Sequence, residues 1–309
     1  MTKAHRICCG LVFFLFQWVL LTQAGWHKGT LPLVLIWGGF VSIVGYALLR
    51  GNPLASLLGS PLNAGWSFLW ASLPILANGL WGVQTGTFHL KNMAMTAAVV
   101  WLPFVFWYLG NFVRDRVLMD VLMLVSLLLP WKLKFLNEAW GFSPGRGGFH
   151  GVYGLIAIHV GLTLLPSRIS LPSFIDGVQK KDWLKGASLG LLCLIGLFLA
   201  AKNGLPHHGL DFRASLPLEI LSLIAVFALI EELMFRGFAM NYISSLTGSP
   251  VLGVFLAAAV GAVLSTLGSP VAALSLGLAA GTVYLFTSSL LVTTVIAGVL
   301  RAVVVLFFI

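Results

Sequence analysis

The stretch Glu231-Glu232-Leu233-Met234-Phe235-Arg236-Gly237 sets two carboxylates side by side, with a guanidinium four residues after the second, at the end of an apolar run that begins at Leu216. On a helix, residues four apart share a face, so Glu232 and Arg236 stand in the order that favours an ion pair. Glu231 is turned about 100° from Glu232, which leaves it to face a cavity. Such a trio has a chemical use. One carboxylate stays ionised beside the Arg, while its partly desolvated neighbour serves as a general base toward water. The bland alternative is a charge cluster that joins helices. Ionisable groups are costly among apolar helices, so three together mark the first place to look for function.

EExxxR followed by Gly, near the end of an apolar helix, resembles the CPBP family, also called the ABI or CAAX-protease family. Its members include the prenyl-protein endopeptidase that trims CAAX tails, and bacterial relatives linked to bacteriocin processing and self-immunity. The resemblance covers roughly residues 185–309. It implies a helical intramembrane protease in which Glu231 activates water, with Glu232 and Arg236 in support.

Two further family motifs fit in layout and depart in residue type. Where the family has FxxxH, this chain has Ala262 and Thr266; where it has HxxxN on the last helix, this chain has Ala297 and Arg301. In the family the His and Asn groups are thought to bind the carbonyl oxygen or a metal, and losing one oxyanion donor typically costs about 10²–10³ in rate. Ala297 can do neither job. Thr266 keeps a hydroxyl donor but is a poor metal ligand. Arg301 has two options if it faces the pocket: it stabilises an oxyanion, or it pairs with Glu231 and lowers its basicity. The candidate catalytic set is therefore Glu231, Glu232, Arg236, Thr266 and Arg301, as a rewired hydrolase or a pseudoenzyme.

No other group makes a convincing metal or cofactor site, and the cofactor stays unknown. His207, His208 and Asp211 precede the motif helix, but adjacent histidines diverge and suit one metal poorly, so a surface loop is the plainer reading. His159, inside an apolar segment, reads as a hydrogen-bonded interior His, and His150 flanks the same segment. The glycine-rich Gly145-Arg146-Gly147-Gly148 lacks the preceding strand and the following Lys-Ser/Thr of a phosphate cradle. Cys8, Cys9 and Cys193 offer neither a disulfide framework nor a CxxC site; Cys8 and Cys9 are candidates for acylation, with a plain apolar role as the alternative. Asp120 and Glu219 fall near expected helix ends, where headgroup water would reach them.

The elements that position this cluster follow from composition. Only 18 Lys and Arg and nine Asp and Glu occur in 309 residues, while 59% of residues are apolar and the mean hydropathy is +1.00. A soluble domain carries roughly 25% charge and could not hide this much apolar surface. Residues 237–300 contain no Lys, Arg, Asp or Glu, and other uncharged windows run over 51–90, 92–113 and 147–167. A spanning helix needs about 20 apolar residues, and the runs lack the alternation of a barrel strand. The expectation is an all-α, polytopic helical membrane protein with about 10–11 transmembrane helices. Spans are read at 31–49, 66–83, 93–111, 117–131, 151–165, 185–201, 216–240, 250–267, 270–286 and 289–309. An apolar stretch over 7–22 is read as an uncleaved first helix, with a cleaved signal peptide as the alternative.

The net charge of +9 is spread singly or in pairs between apolar runs, which fits orientation by the positive-inside rule and not nucleic-acid binding. Lys3, Arg6, Arg50, Arg114, Arg116, Arg168, Lys180, Lys181 and Lys185 take the cytoplasmic side; Lys132, Lys134 and Arg146 on the other side strain that count. All 11 Trp lie between Trp18 and Trp183, which divides a Trp-rich multispanning region, 1–183, from a CAAX-protease-like transmembrane domain, 184–309. In the second part, Gly186/Gly190 and Gly277/Gly281 would let helix backbones approach closely.

The lead expectation is an intramembrane endopeptidase that cuts a membrane-associated protein or peptide in a bacterial cytoplasmic membrane. The alternative is a catalytically silent relative that binds membrane segments or assembles with partners. A transporter ranks last, because neither two related halves nor a second charged cluster is visible.

Overall fold

The computed structural model describes residues 64–114, 116–133, 156–157, 159–161, 163–165, 178–202, 228–264 and 270–307. Every regular element among them is helical. The chain divides into two compact units, Met1–Ser170 and Leu171–Ile309.

In the first unit, the expected span over 66–83 is broken into α1 (Ala64–Ala71) and α2 (Leu73–Thr85). The break is local chemistry: Pro74 sits in the first turn of α2, where a missing N–H costs nothing, and Ser72 Oγ donates back to Phe68 O at 2.7 Å. α2 stops at Gly86, whose φ of 69° is the left-handed cap that glycine adopts without strain. α3 (Leu90–Leu109) packs against α1, α2 and α4 (Arg116–Leu133). Asn78 and Thr96 join α2 to α3 by a buried side-chain hydrogen bond of 2.5 Å. Trp101 on α3 donates to Ser72 Oγ at 2.9 Å.

His159 lies in the helical stretch that ends this unit. It is buried, its Nε2 donates to the Trp70 carbonyl at 2.6 Å, and its ring stacks on that of Trp70. It is an interior hydrogen-bonded His, as its setting predicts. Asp120 departs from expectation. It lies near the start of α4 as expected, yet it is 4% exposed, and its Oδ2 is 3.9 Å from Nε of the half-exposed Arg116.

The second unit contains α5 (Lys180–Lys202), α6 (Leu229–Glu232), a π-helical segment (Leu233–Met240), α7 (Asn241–Thr247), α8 (Pro250–Leu264), α9 (Pro270–Thr287) and α10 (Leu290–Phe307). Side chains start and stop these helices. Asp182 accepts the Gln179 N–H at 2.8 Å in the first turn of α5, and Ser289 accepts the Val292 N–H at 3.3 Å before α10. Gly248, with φ of 68°, ends α7 in the left-handed conformation, and Pro250 opens α8.

Small residues set the spacing between helices, as the four-residue glycine repeats predict. A Cβ on Gly277 would lie 3.1 Å from Ala258, and one on Gly281 would lie 2.6 Å from Val254, so α9 is drawn tightly onto α8. A Cβ on Gly186 or Gly190 would lie 2.5 Å from Val292 or 2.8 Å from Ile296, which holds α5 against α10. Close backbone approach is the usual way apolar helices gain packing energy when no water is there to be expelled. Two described helices, Leu90–Leu109 and Pro270–Thr287, are long and apolar enough to cross a membrane.

Candidate functional site

The two glutamates end α6, and Arg236 lies in the π-helical segment that continues it. All eight residues of that segment are buried, and its sequence, LMFRGFAM, is apolar apart from Arg236. A π-helix closes i→i+5 hydrogen bonds, and such widened turns recur at functional sites. A cation held among apolar neighbours needs partners for its donors, since an unpaired buried charge is costly.

Arg236 is satisfied on two sides. Its Nη1 lies 3.1 Å from Glu232 Oε1, and its Nη2 donates to the Gly277 carbonyl on α9 at 2.5 Å. One guanidinium therefore ties the motif helix to α9 at the glycine that also allows α8 to come close. Planar geometry lets Arg serve two directions at once, which a Lys could not copy.

The second pair comes from α10. Arg301 Nη1 is ion-paired with Glu231 Oε2. Side-chain exposure is 4% for Glu232, 6% for Arg236 and 7% for Arg301, against 20% for Glu231, so Glu231 is the most accessible of the four. The four charges sum to zero. Glu232 Oε2 alone among the carboxylate oxygens of this cluster is both buried and without a hydrogen-bond partner.

These groups border a cavity of about 40 Å³, walled otherwise by Phe235, Leu276 and small residues: Ala228, Ala257, Ala258, Gly261, Ala273, Gly277 and Ala297. A water needs about 10–15 Å³ of such space. The cavity therefore has room for a few waters or one small group.

The donor set does not fit a metal ion. Both carboxylates already face guanidinium groups, two cations border the cavity, and Ala297 brings no ligand atom. Among the described residues no three His, Cys, Asp or Glu side chains gather to hold a metal. The arrangement can hold a neutral hydrogen-bonding group, and Oε2 of Glu231 is already engaged by Arg301.

Glu231, Glu232, Arg236 and Arg301 are thus brought to one cavity, with Ala297 beside them. Thr266, His150, His207, His208, Asp211, Glu219 and the 145–148 loop lie outside the described residues, as do the first two spans. Sequence reasoning does not find the Gly277 carbonyl as the acceptor for Arg236, nor the alanine lining. A backbone acceptor exists at every residue and leaves no mark in composition. The alanines and glycines of α8 and α9 do carry a signal, in the small-residue content that follows Trp183.

Residues 213–303 match the family model described as Rce1-like, type II CAAX prenyl endopeptidase Rce1-like. That segment holds EExxxR together with Ala297 and Arg301. The match spans 91 of the 309 residues. No curated protein and no solved structure matches the chain.

Proposed function

We propose that this is a multi-pass membrane protein with a CAAX-protease-like domain that binds a membrane-associated protein or peptide segment without hydrolysing it. One observation carries the reading: the carboxylate that would activate water, Glu231, is ion-paired with Arg301. A general base needs a lone pair free to take a proton at the moment of attack. Here a guanidinium, which does not deprotonate, holds Oε2 of that carboxylate. Ala297 removes a second requirement, a donor for the developing oxyanion. Scarce charge, two helices of spanning length and the family match support placement in a membrane. The bacterial cytoplasmic membrane is the compartment we assign.

A second reading, a rewired endopeptidase, is favoured by the room for water beside Glu231 and by the 20% exposure of its side chain. The two are separated by comparing membrane-protein termini in cells carrying the wild-type protein, Glu231→Gln, or no copy. A binding protein leaves the termini alike in all three. Termini that appear with the wild type and vanish in Glu231→Gln would establish the protease.

A further inference from the structure

Glu232 carries more acceptor capacity than its surroundings use. An ionised carboxylate has about four lone-pair positions, and the described residues engage only one oxygen: Oε1 takes Arg236 Nη1, while Oε2 is buried with no partner. Arg236 cannot turn to serve it, because its other Nη is committed to the Gly277 carbonyl. Arg301 is held at Glu231. Glu232 is 3% exposed and borders the cavity, so a donor that satisfies Oε2 has to enter there.

Charge and size restrict that donor. Two Glu and two Arg leave the site neutral, so nothing in it favours an ammonium over an uncharged hydroxyl or amide N–H. The walls of Ala257, Ala258, Gly261, Ala273, Gly277 and Ala297 leave a cavity of about 40 Å³ that accepts a hydroxymethyl group. The only one of the four charged residues with appreciable exposure is Glu231, which places the opening on its side.

Resting on the reading that this domain binds a membrane segment, we infer that the cavity selects a segment presenting a small, neutral hydrogen-bond donor, a Ser hydroxyl at a position flanked by small residues, with Glu232 Oε2 as its acceptor. Glu232 is then a binding residue and not only the partner of Arg236. The Ser methylene fills the alanine-walled space, and its hydroxyl hydrogen points to Oε2. Water can satisfy the same oxygen, but water gives no preference among membrane segments.

The test uses the full-length protein in lipid nanodiscs and fluorescent Leu/Ala membrane-spanning peptides that differ at one central residue, Ser, Ala or Leu. Interhelical hydrogen bonds in membranes contribute modestly, so the Ser peptide should bind about three- to tenfold tighter than the Ala and Leu peptides, neither of which brings a donor to Oε2. Gly261→Ala adds a methyl at an ordinary 3.7 Å from the Phe235 ring and so keeps the fold; with Ala297→Val as a second filler, it should erase the preference for Ser. Equal binding of the three peptides, the result for a cavity that holds water alone, would overturn the inference, as would a Ser preference that survives both fillers. Cleavage of the bound Ser peptide would overturn the non-hydrolytic reading and leave the selectivity inference standing.

Discussion

Arg301, near the end of α10, is ion-paired with Glu231, the first residue of the EExxxR motif on α6. Arg301 therefore does more than line the cavity. It adds a cation that takes hold of the candidate base, and in doing so it fastens α10 to the motif helix. With Arg236 bridging to α9, the charged cluster connects three helices, α6, α9 and α10.

Breaking this contact from one side should destabilise the protein. Removing one partner of a buried pair typically costs about 3–5 kcal/mol, and the partial exposure of Glu231 places Arg301→Ala toward the lower end. Glu231→Gln combined with Arg301→Gln should recover much of the loss. Thermal unfolding of the solubilised protein across this double-mutant cycle measures it; additive losses would show that the two side chains are not coupled.

Arg236→Lys should be poorly tolerated although charge is kept. A single ammonium cannot reproduce the two-direction contact with Glu232 and the Gly277 carbonyl, and a buried acceptor left without its donor costs about 1–3 kcal/mol. Unfolding of this variant beside Arg236→Ala checks it. If Lys proves as stable as Arg, the carbonyl contact contributes nothing.

The glycines of α5 offer a contrast within one helix. Gly190→Leu should displace Ile296 and with it α10, costing about 1–3 kcal/mol or more from overpacking. Gly196→Ala meets nothing within 4 Å and should be neutral or stabilising by up to about 1 kcal/mol through helix propensity. Equal effects at the two positions would contradict the close approach of α5 to α10.

Much of this site is legible in the amino-acid sequence, and the parts that are not have physical reasons. Glu232 and Arg236 are four apart, so local periodicity alone brings them together. Gly277 and Gly281 mark a close helix contact for the same local reason. Arg301 reaching Glu231 is a long-range contact; the family layout places it near the pocket but leaves two roles open, oxyanion donor or partner of the base. The π-helical segment is invisible in sequence, because LMFRGFAM, apolar apart from Arg236, reads equally well as an α-helical continuation of α6. Asp120 is misplaced when nearness to a helix end is equated with exposure, since it lies near the start of α4 and is still buried.

Hydrolysis by the purified protein tests the central claim most directly. Wild type and Glu231→Gln, reconstituted in lipid, are incubated with a mixture of membrane-spanning and prenylated C-terminal peptides, and products are read by mass spectrometry. Because Arg301 holds Glu231 and Ala297 supplies no oxyanion donor, the account predicts no products that distinguish the two proteins. A product formed by the wild type and lost in Glu231→Gln would contradict it.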